Sequence, residues 1–173
     1  MAAAARCACG SSTYCKRAVA AGPVICYPAG METLTVFTDG GARGNPGPAA
    51  IGVHVVDATG NVQFEFGESI GNSTNNFAEY HAVARALEAL KQRYGKQTKE
   101  MQIELKLDSE LVKKQLNGEY QIKEPGLVPL FIEIHNLRVA NFPNLTLTHV
   151  PRAQNKEADR LVNEALDSVG AQK

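Results

Sequence analysis

The sequence predicts an α/β fold: a five-stranded mixed sheet, three antiparallel strands and then parallel strands, flanked by helices on both faces. Three observations predict it. The elements run strand, strand, strand, helix, strand, helix, helix, strand, helix, an order in which hairpins come first and later strands are joined through helices. The hydrophobic period changes from alternation before Ile70 to a helical stripe after Asn75. Two strands end on an aspartate, Asp39 and Asp108, at the carboxyl edge where sheets of this kind gather ligands.

Residues Thr33 to Thr38 alternate, with Leu34 and Val36 on one face and Thr35 and Phe37 on the other, as in a buried strand. Asp39 stands at the tip of that strand. In the turn that follows, Gly40, Gly41, Gly44 and Gly47 permit positive φ and close approach of a ligand, while Pro46 and Pro48 stiffen the exit. A phosphate-binding P-loop is excluded, because no Gly-Lys-Ser or Gly-Lys-Thr closes the glycine run and no helix pattern follows it. Ala49 to Asp57 and Asn61 to Ile70 read as two strands joined by a turn at Gly60, which completes an antiparallel meander.

Between Asn75 and Tyr94, Val83, Leu87, Leu90 and Tyr94 fall on one helical stripe, and Glu79 heads that face one turn earlier. A glutamate at the buried end of a helix is costly unless it meets a cation; taken alone, it reads as a helix N-terminal acid favoured by the macrodipole. Met101 to Leu107 alternates strictly and stops at Asp108-Ser109-Glu110, where Asp108 alone reads as the N-cap of a short helix ended by Gly118. Val128 to Val139 is a further helix. Leu145 to Val150 is the last strand, and the alternation of His149 with Leu145 and Leu147 gives it a hydrogen-bonded packing role inside that strand. The final helix runs from about Gln154 to Ser168 on an apolar stripe of Ala158, Leu161, Val162, Ala165 and Leu166, with Asp159 beside the stripe near its start.

The 173 residues suit one domain, and no run is long and apolar enough to span a bilayer, so no membrane contact is expected. Three of the 18 basic residues, Arg6, Lys16 and Arg17, precede Met31, and none of the 18 acidic ones does. The chain from Met31 is therefore acidic by three, and net charge alone would not draw in a polyanion. Residues 1–30 are alanine-rich, acid-free and hold all four cysteines, Cys7, Cys9, Cys15 and Cys26. They read as a disordered leader or a non-native extension: an upstream start with Met31 as the true one, a transit-type leader, or, least favoured for want of paired Cys-x-x-Cys knuckles, a metal site. Residues 31–173 are then the working domain, in a cytoplasmic setting, or an organellar one if the leader is a transit peptide.

The four acids explain one another. Asp39 and Asp108 sit at strand ends, and Glu79 and Asp159 in the first turns of helices whose apolar faces must cover the sheet. Four carboxylates converging without a cation would repel one another and raise each other's pKa. Hard oxygen donors with no cysteine or histidine cluster favour Mg²⁺ or Mn²⁺ over zinc, and two such ions roughly 4 Å apart suit in-line displacement at phosphorus.

Phe37-Thr38-Asp39-Gly40-Gly41 with Gly44 to Pro48, Thr74-Asn75-Asn76-Phe77-Ala78-Glu79, Leu107-Asp108-Ser109, and Asn155 to Leu161 together resemble the motifs of type 1 ribonuclease H, over nearly all of Leu34 to Leu166. The resemblance implies a ribonuclease H-like fold, with Asp39, Glu79, Asp108 and Asp159 as metal-binding catalytic acids using two Mg²⁺ ions, Mn²⁺ being a possible substitute. The implied reaction cleaves the RNA strand of an RNA/DNA hybrid duplex by a metal-activated water, leaving a 5′-phosphate and a 3′-hydroxyl, with little sequence preference. Asn45 and Thr74 would contact phosphate; Asn75, Asn76 and Glu110 would lie along the minor groove. Backbone groups of the glycine-rich turn, Gly40 and Gly41 included, would add contacts near the 2′-hydroxyl, and Arg43, Arg152 and Lys156 are the basic candidates beside the acids. No obligate protein partner is implied, and a monomer is expected.

The chain resembles the short-loop members of that family. The loop Pro151 to Lys156 carries no histidine, and between Gln115 and Pro129 only Lys123 is basic, so the basic insertion that grips DNA in several relatives is missing. Two other readings stand beside the hybrid nuclease: a silent module that binds hybrid or double-stranded RNA, which the intact set of acids argues against, and a nuclease of the same fold with another duplex preference, including RNA/RNA.

Overall fold

The computed structural model describes residues 32–170; the leader and the cysteines read from the sequence lie outside the described residues. Strands β1 (Thr33–Ala42), β2 (Gly47–Asp57) and β3 (Val62–Ser73) form the antiparallel meander, and β4 (Gln102–Leu107) and β5 (Leu145–His149) add to it in parallel, in the order β3-β2-β1-β4-β5. Helices α1 (Asn75–Tyr94), α2 (Glu110–Leu116), α3 (Val128–Asn141) and α4 (Lys156–Gly170) complete the fold. None of them is long and apolar enough to cross a membrane.

The alternation of β1 separates two cores. Leu34 and Val36 turn to the face where Val83, Leu87 and Leu90 of α1 pack with Ile103 and Leu105 of β4. On the opposite face Ala50 meets Val162, Ala165 and Leu166 of α4. Helix starts follow local chemistry. The Thr74 hydroxyl accepts from the Phe77 amide at α1, and the Ser109 hydroxyl from the Val112 amide at α2, each satisfying a donor the helix leaves open. The cap of α2 is thus Ser109, and Asp108 keeps its carboxylate for other use.

The glycine-rich stretch differs from the sequence reading. Gly40 and Gly41 are strand residues, because the ladder with β2 runs on through Asp39–Gly52, Gly40–Ile51, Gly41–Ala50 and Ala42–Ala49. Of the four glycines only Gly44 takes positive φ, at 107°. Gly40 is needed for a different closeness: a Cβ there would overlap the backbone of Ala78 and Glu79, so α1 lies directly on the strand. Gly52 and Gly67, paired across β2 and β3, do the same for α4, since a Cβ on either would overlap the carbonyl of Ala158 or Leu161. Gly52 is the cross-strand neighbour of Asp39. Seating Ala158 on Gly52 therefore brings the next residue, Asp159, toward Asp39.

Candidate metal centre and nucleic-acid interface

Asp39 lies one residue past Thr38–Leu107, the last pair of the β1/β4 ladder, although β1 continues on its other side. It is at the edge of the parallel pair and inside the strand at once. Asp108 follows Leu107 directly, and Glu79 projects from the second turn of α1, whose first turn carries no acid; the macrodipole reading of Glu79 therefore falls away. Ligand oxygens of Asp39, Glu79 and Asp108 all lie within 4.8 Å of one another. Asp39 is 6% exposed, and the buried Oδ1 of Asp108 has no hydrogen-bond partner.

These groups resist ionisation together. Burial, then the charges of Asp108 and Asp39, push the Glu79 carboxyl up to about 9. Burial, then Asp108 and Asp159, raise Asp39 to about 6, against the opposing hydrogen bond from the Gly40 amide. A bound cation would reverse both shifts. All-oxygen donors, one buried and two half-buried, with one atom unpartnered fit a hard divalent metal ion, and Asp39, Glu79 and Asp108 could hold one.

Asp159, in the first turn of α4, stands beside this trio and outside its 4.8 Å circle. Its Oδ1 is paired with the Arg152 guanidinium, and its Oδ2 accepts from Asn163 at 3.2 Å. Arg152 also lowers the pKa of Asp39 and Glu79, so it acts as the resident counter-ion of the acidic cluster.

Residues 37–165 match the family described as reverse transcriptase-like. The chain is 45% identical over 131 residues to the ribonuclease HI of Halobacterium salinarum, covering 76% of this chain and 63% of that protein. It superposes on LC11-RNase H1, isolated from compost by a metagenomic approach, with a TM-score of 0.77 and 47% identity, over 80% of this chain and 99% of that one. The chain belongs to the ribonuclease HI family. The same LC11 enzyme has been solved in complex with an RNA/DNA hybrid, and that structure is matched at 46% identity and a TM-score of 0.75, over 79% of this chain and 98% of that one. The chain spans about 63% of the length of its curated halobacterial relative.

The residues expected to meet nucleic acid fall into two groups. Asn75 accepts from the Ala42 amide through Oδ1 at 2.8 Å, and Asn45 accepts from the Asn75 amide at 3.2 Å. Both side-chain acceptors are thus engaged within the protein. Neither amide NH₂ donates to another described residue, so two donors are oriented on one edge. Thr74 caps α1. Arg43 pairs with Asp167 at 2.6 Å and Glu110 with Lys114 at 2.8 Å, all with exposed or half-exposed side chains. On the other flank Asn76 lines a groove of about 590 Å³ with Leu111, Gln115, Tyr120 and Lys123.

That second flank was not legible beforehand. Tyr120 is half exposed, with Lys114 Nζ 4.8 Å from its ring centroid, and a buried chain from Tyr80 through Gln115 to the Gln121 carbonyl fixes the segment that carries it. The signal was there, a lone tyrosine after a helix-stopping Gly118, but its partners are remote in sequence. His149 also departs from expectation. It is exposed at the end of β5, and its Nε2 lies 3.2 Å from the Asp108 carbonyl oxygen, which places the imidazole against the main chain of that acid.

Proposed function

We propose that this chain is an endoribonuclease that hydrolyses the RNA strand of RNA/DNA hybrids by two-metal-ion catalysis, giving 5′-phosphate and 3′-hydroxyl ends with little sequence specificity. The observation that carries the reading is the trio Asp39, Glu79 and Asp108, converging on one spot with an unpartnered oxygen. The hybrid-bound LC11-RNase H1 supports the substrate class.

Asp39, Glu79 and Asp108 would hold the metal, with Asp159 joining once Arg152 lets go. Mg²⁺ is the expected ion and Mn²⁺ a substitute, since both take oxygen donors. Bound there, such ions supply an activated water and neutralise charge at the departing 3′-oxygen. The protein's own part is to bind, orient and select. Asn45 and Asn75, fixed through their acceptors, direct NH₂ donors at phosphate or the 2′-hydroxyl, the group that tells RNA from DNA. Asn76, Glu110 and the backbone of Gly40 and Gly41 extend that edge. Tyr120 offers a stacking face and Lys123 a charge to the flanking nucleic acid, a modest replacement for the missing basic insertion. Arg43 and Arg152 are positioned for phosphate once released from Asp167 and Asp159. Such contacts read groove shape and sugar, so base preference is low.

The direct test is substitution within the trio. Glu79→Gln and Asp108→Asn should each lower hybrid cleavage by at least about 10³-fold, given the several kcal/mol at stake when charge stabilisation is lost, while a gel-shift assay still detects bound hybrid. Cleavage within tenfold of wild type in both variants would rule the trio out as the reacting centre.

A further inference from the structure

Beside the acids lies a buried amide that the reading above does not use. Asn155 is 1% exposed and is the residue immediately before α4. Its Nδ2 donates to the Thr38 carbonyl at 2.9 Å, while its own backbone carbonyl accepts from the Asp159 amide at 3.1 Å. One residue therefore grips the peptide just before Asp39 with its side chain and the amide of Asp159 with its main chain. Its side-chain Oδ1 is buried without a partner, and among the described residues Asp108 Oδ1 is the only other such atom. Leaving one end of a buried amide unpaired is costly, and a residue kept for packing alone would avoid it.

We propose that Asn155 is a positioning residue for the metal centre: it couples β1 to the start of α4, so that Asp39 and Asp159 hold a fixed separation. The proposal rests on the metal-nuclease reading. The sheet contact of α4 through Gly52 and Gly67 sets how high the helix rides, while its exposed ion pairs Arg160–Glu65 and Arg43–Asp167 tie it to the rest of the fold only through long, solvent-screened side chains. The buried Asn155–Thr38 bond adds a short, fixed link, at a point one residue from one acid and four from the other. Catalytic groups displaced by about 1 Å lose large factors in rate, so small slack here is sufficient to matter.

A similar but more exposed bond at the opposite end of the sheet serves as a comparison. Asn144 Nδ2 donates to the Lys99 carbonyl at 3.1 Å, the same chemistry before β5 and away from the acids. The experiment compares Asn155→Ala and Asn144→Ala in the full chain by three readouts: Tm in EDTA, calorimetric titration with Mn²⁺ alone, and kcat and KM on a hybrid. Both variants should still fold, with Asn155→Ala losing more Tm because its bond is buried. Asn155→Ala alone should bind Mn²⁺ about fivefold more weakly and lose at least tenfold in kcat with KM within twofold of wild type. Asn155→Ser, whose shorter side chain does not reach the Thr38 carbonyl and carries no charge, should match the alanine variant in kcat if the latter folds poorly. Equal Mn²⁺ affinity and kcat in the Asn155 and Asn144 variants would overturn the proposal. If the wild type binds Mn²⁺ yet does not cut, the nuclease reading fails by itself, and the Mn²⁺ comparison still decides the role of Asn155.

Discussion

Asp39 and Glu79 bind protons more tightly in the folded chain than their ordinary values of 3.8 and 4.5. A carboxylate raised in this way contributes stability that is full below its unfolded pKa and is lost as pH rises through the folded one. For Asp39 the loss runs up to about 6 and for Glu79 up to about 9. Asp57, held down to about 2 chiefly by the Thr59 hydroxyl, works in the opposite sense, but only in the acid range below that window. The metal-free protein should therefore lose stability from about pH 4 to pH 9, as read by urea unfolding in EDTA. Asp39→Asn should flatten the curve near pH 6 and add about 1–3 kcal/mol at pH 7, by the worth of a pKa unit, while abolishing cleavage. A variant less stable than wild type at pH 7 would contradict the repulsion. Arg152→Ala is expected to cost under about 1 kcal/mol in the same assay, because its ion pair with Asp159 is largely open to solvent. A loss above about 2 kcal/mol would mean the guanidinium is a structural member of the cluster. At this scale the convergence of Asp39, Glu79 and Asp108 was legible, because charge at a strand end or under an apolar helix face conflicts with its surroundings. The pairing of Asp159 with Arg152 and the exposure of His149 were not, since each depends on where a neighbouring element stops.

At the scale of elements, the glycine contacts decide the geometry. Any side chain at Gly52 must displace the backbone of Ala158, and backbone cannot swing aside as a flexible side chain can. Gly52→Ala should destabilise by about 1–3 kcal/mol through overpacking and lower kcat through displacement of Asp159; Gly60→Ala is the contrasting case, where nothing lies within 4 Å and only the backbone at φ 87° is strained. Equilibrium unfolding and single-turnover cleavage of both variants separate these effects: Gly52→Ala alone should lose turnover. Unchanged turnover in that variant would show that α4 is not held by this contact. The existence and kind of all nine major elements could be read from periodicity, and the parallel β4 and β5 from the helices before them. What periodicity could not reveal was Gly40 and Gly41 inside a strand, or Gly52 under a helix. A missing Cβ records a close approach without naming the element that approaches.

For the molecule as a whole, an acidic domain must meet a polyanion through a narrow neutralised zone. Arg43 and Arg152, two of the three basic groups expected beside the acids, are held in internal ion pairs, so few of that set remain to replace counterions. Hybrid affinity should accordingly be modest and fall as salt rises from 50 to 200 mM, with a shallow slope set by a handful of phosphate contacts, measurable by fluorescence anisotropy. A steep slope, equivalent to ten or so contacts, would mean that a wider basic face, such as Lys91 to Lys99, also meets the duplex. The most direct measurement is cleavage of labelled RNA/DNA, RNA/RNA and DNA/DNA duplexes by the full chain and by residues 31–173, each with Mg²⁺, Mn²⁺ and EDTA. A metal-dependent ribonuclease H should cut only the RNA of the hybrid, leave 5′-phosphates, stop in EDTA and behave alike in both forms. Hybrid bound but uncut under either metal, or cut equally well in EDTA, would contradict it.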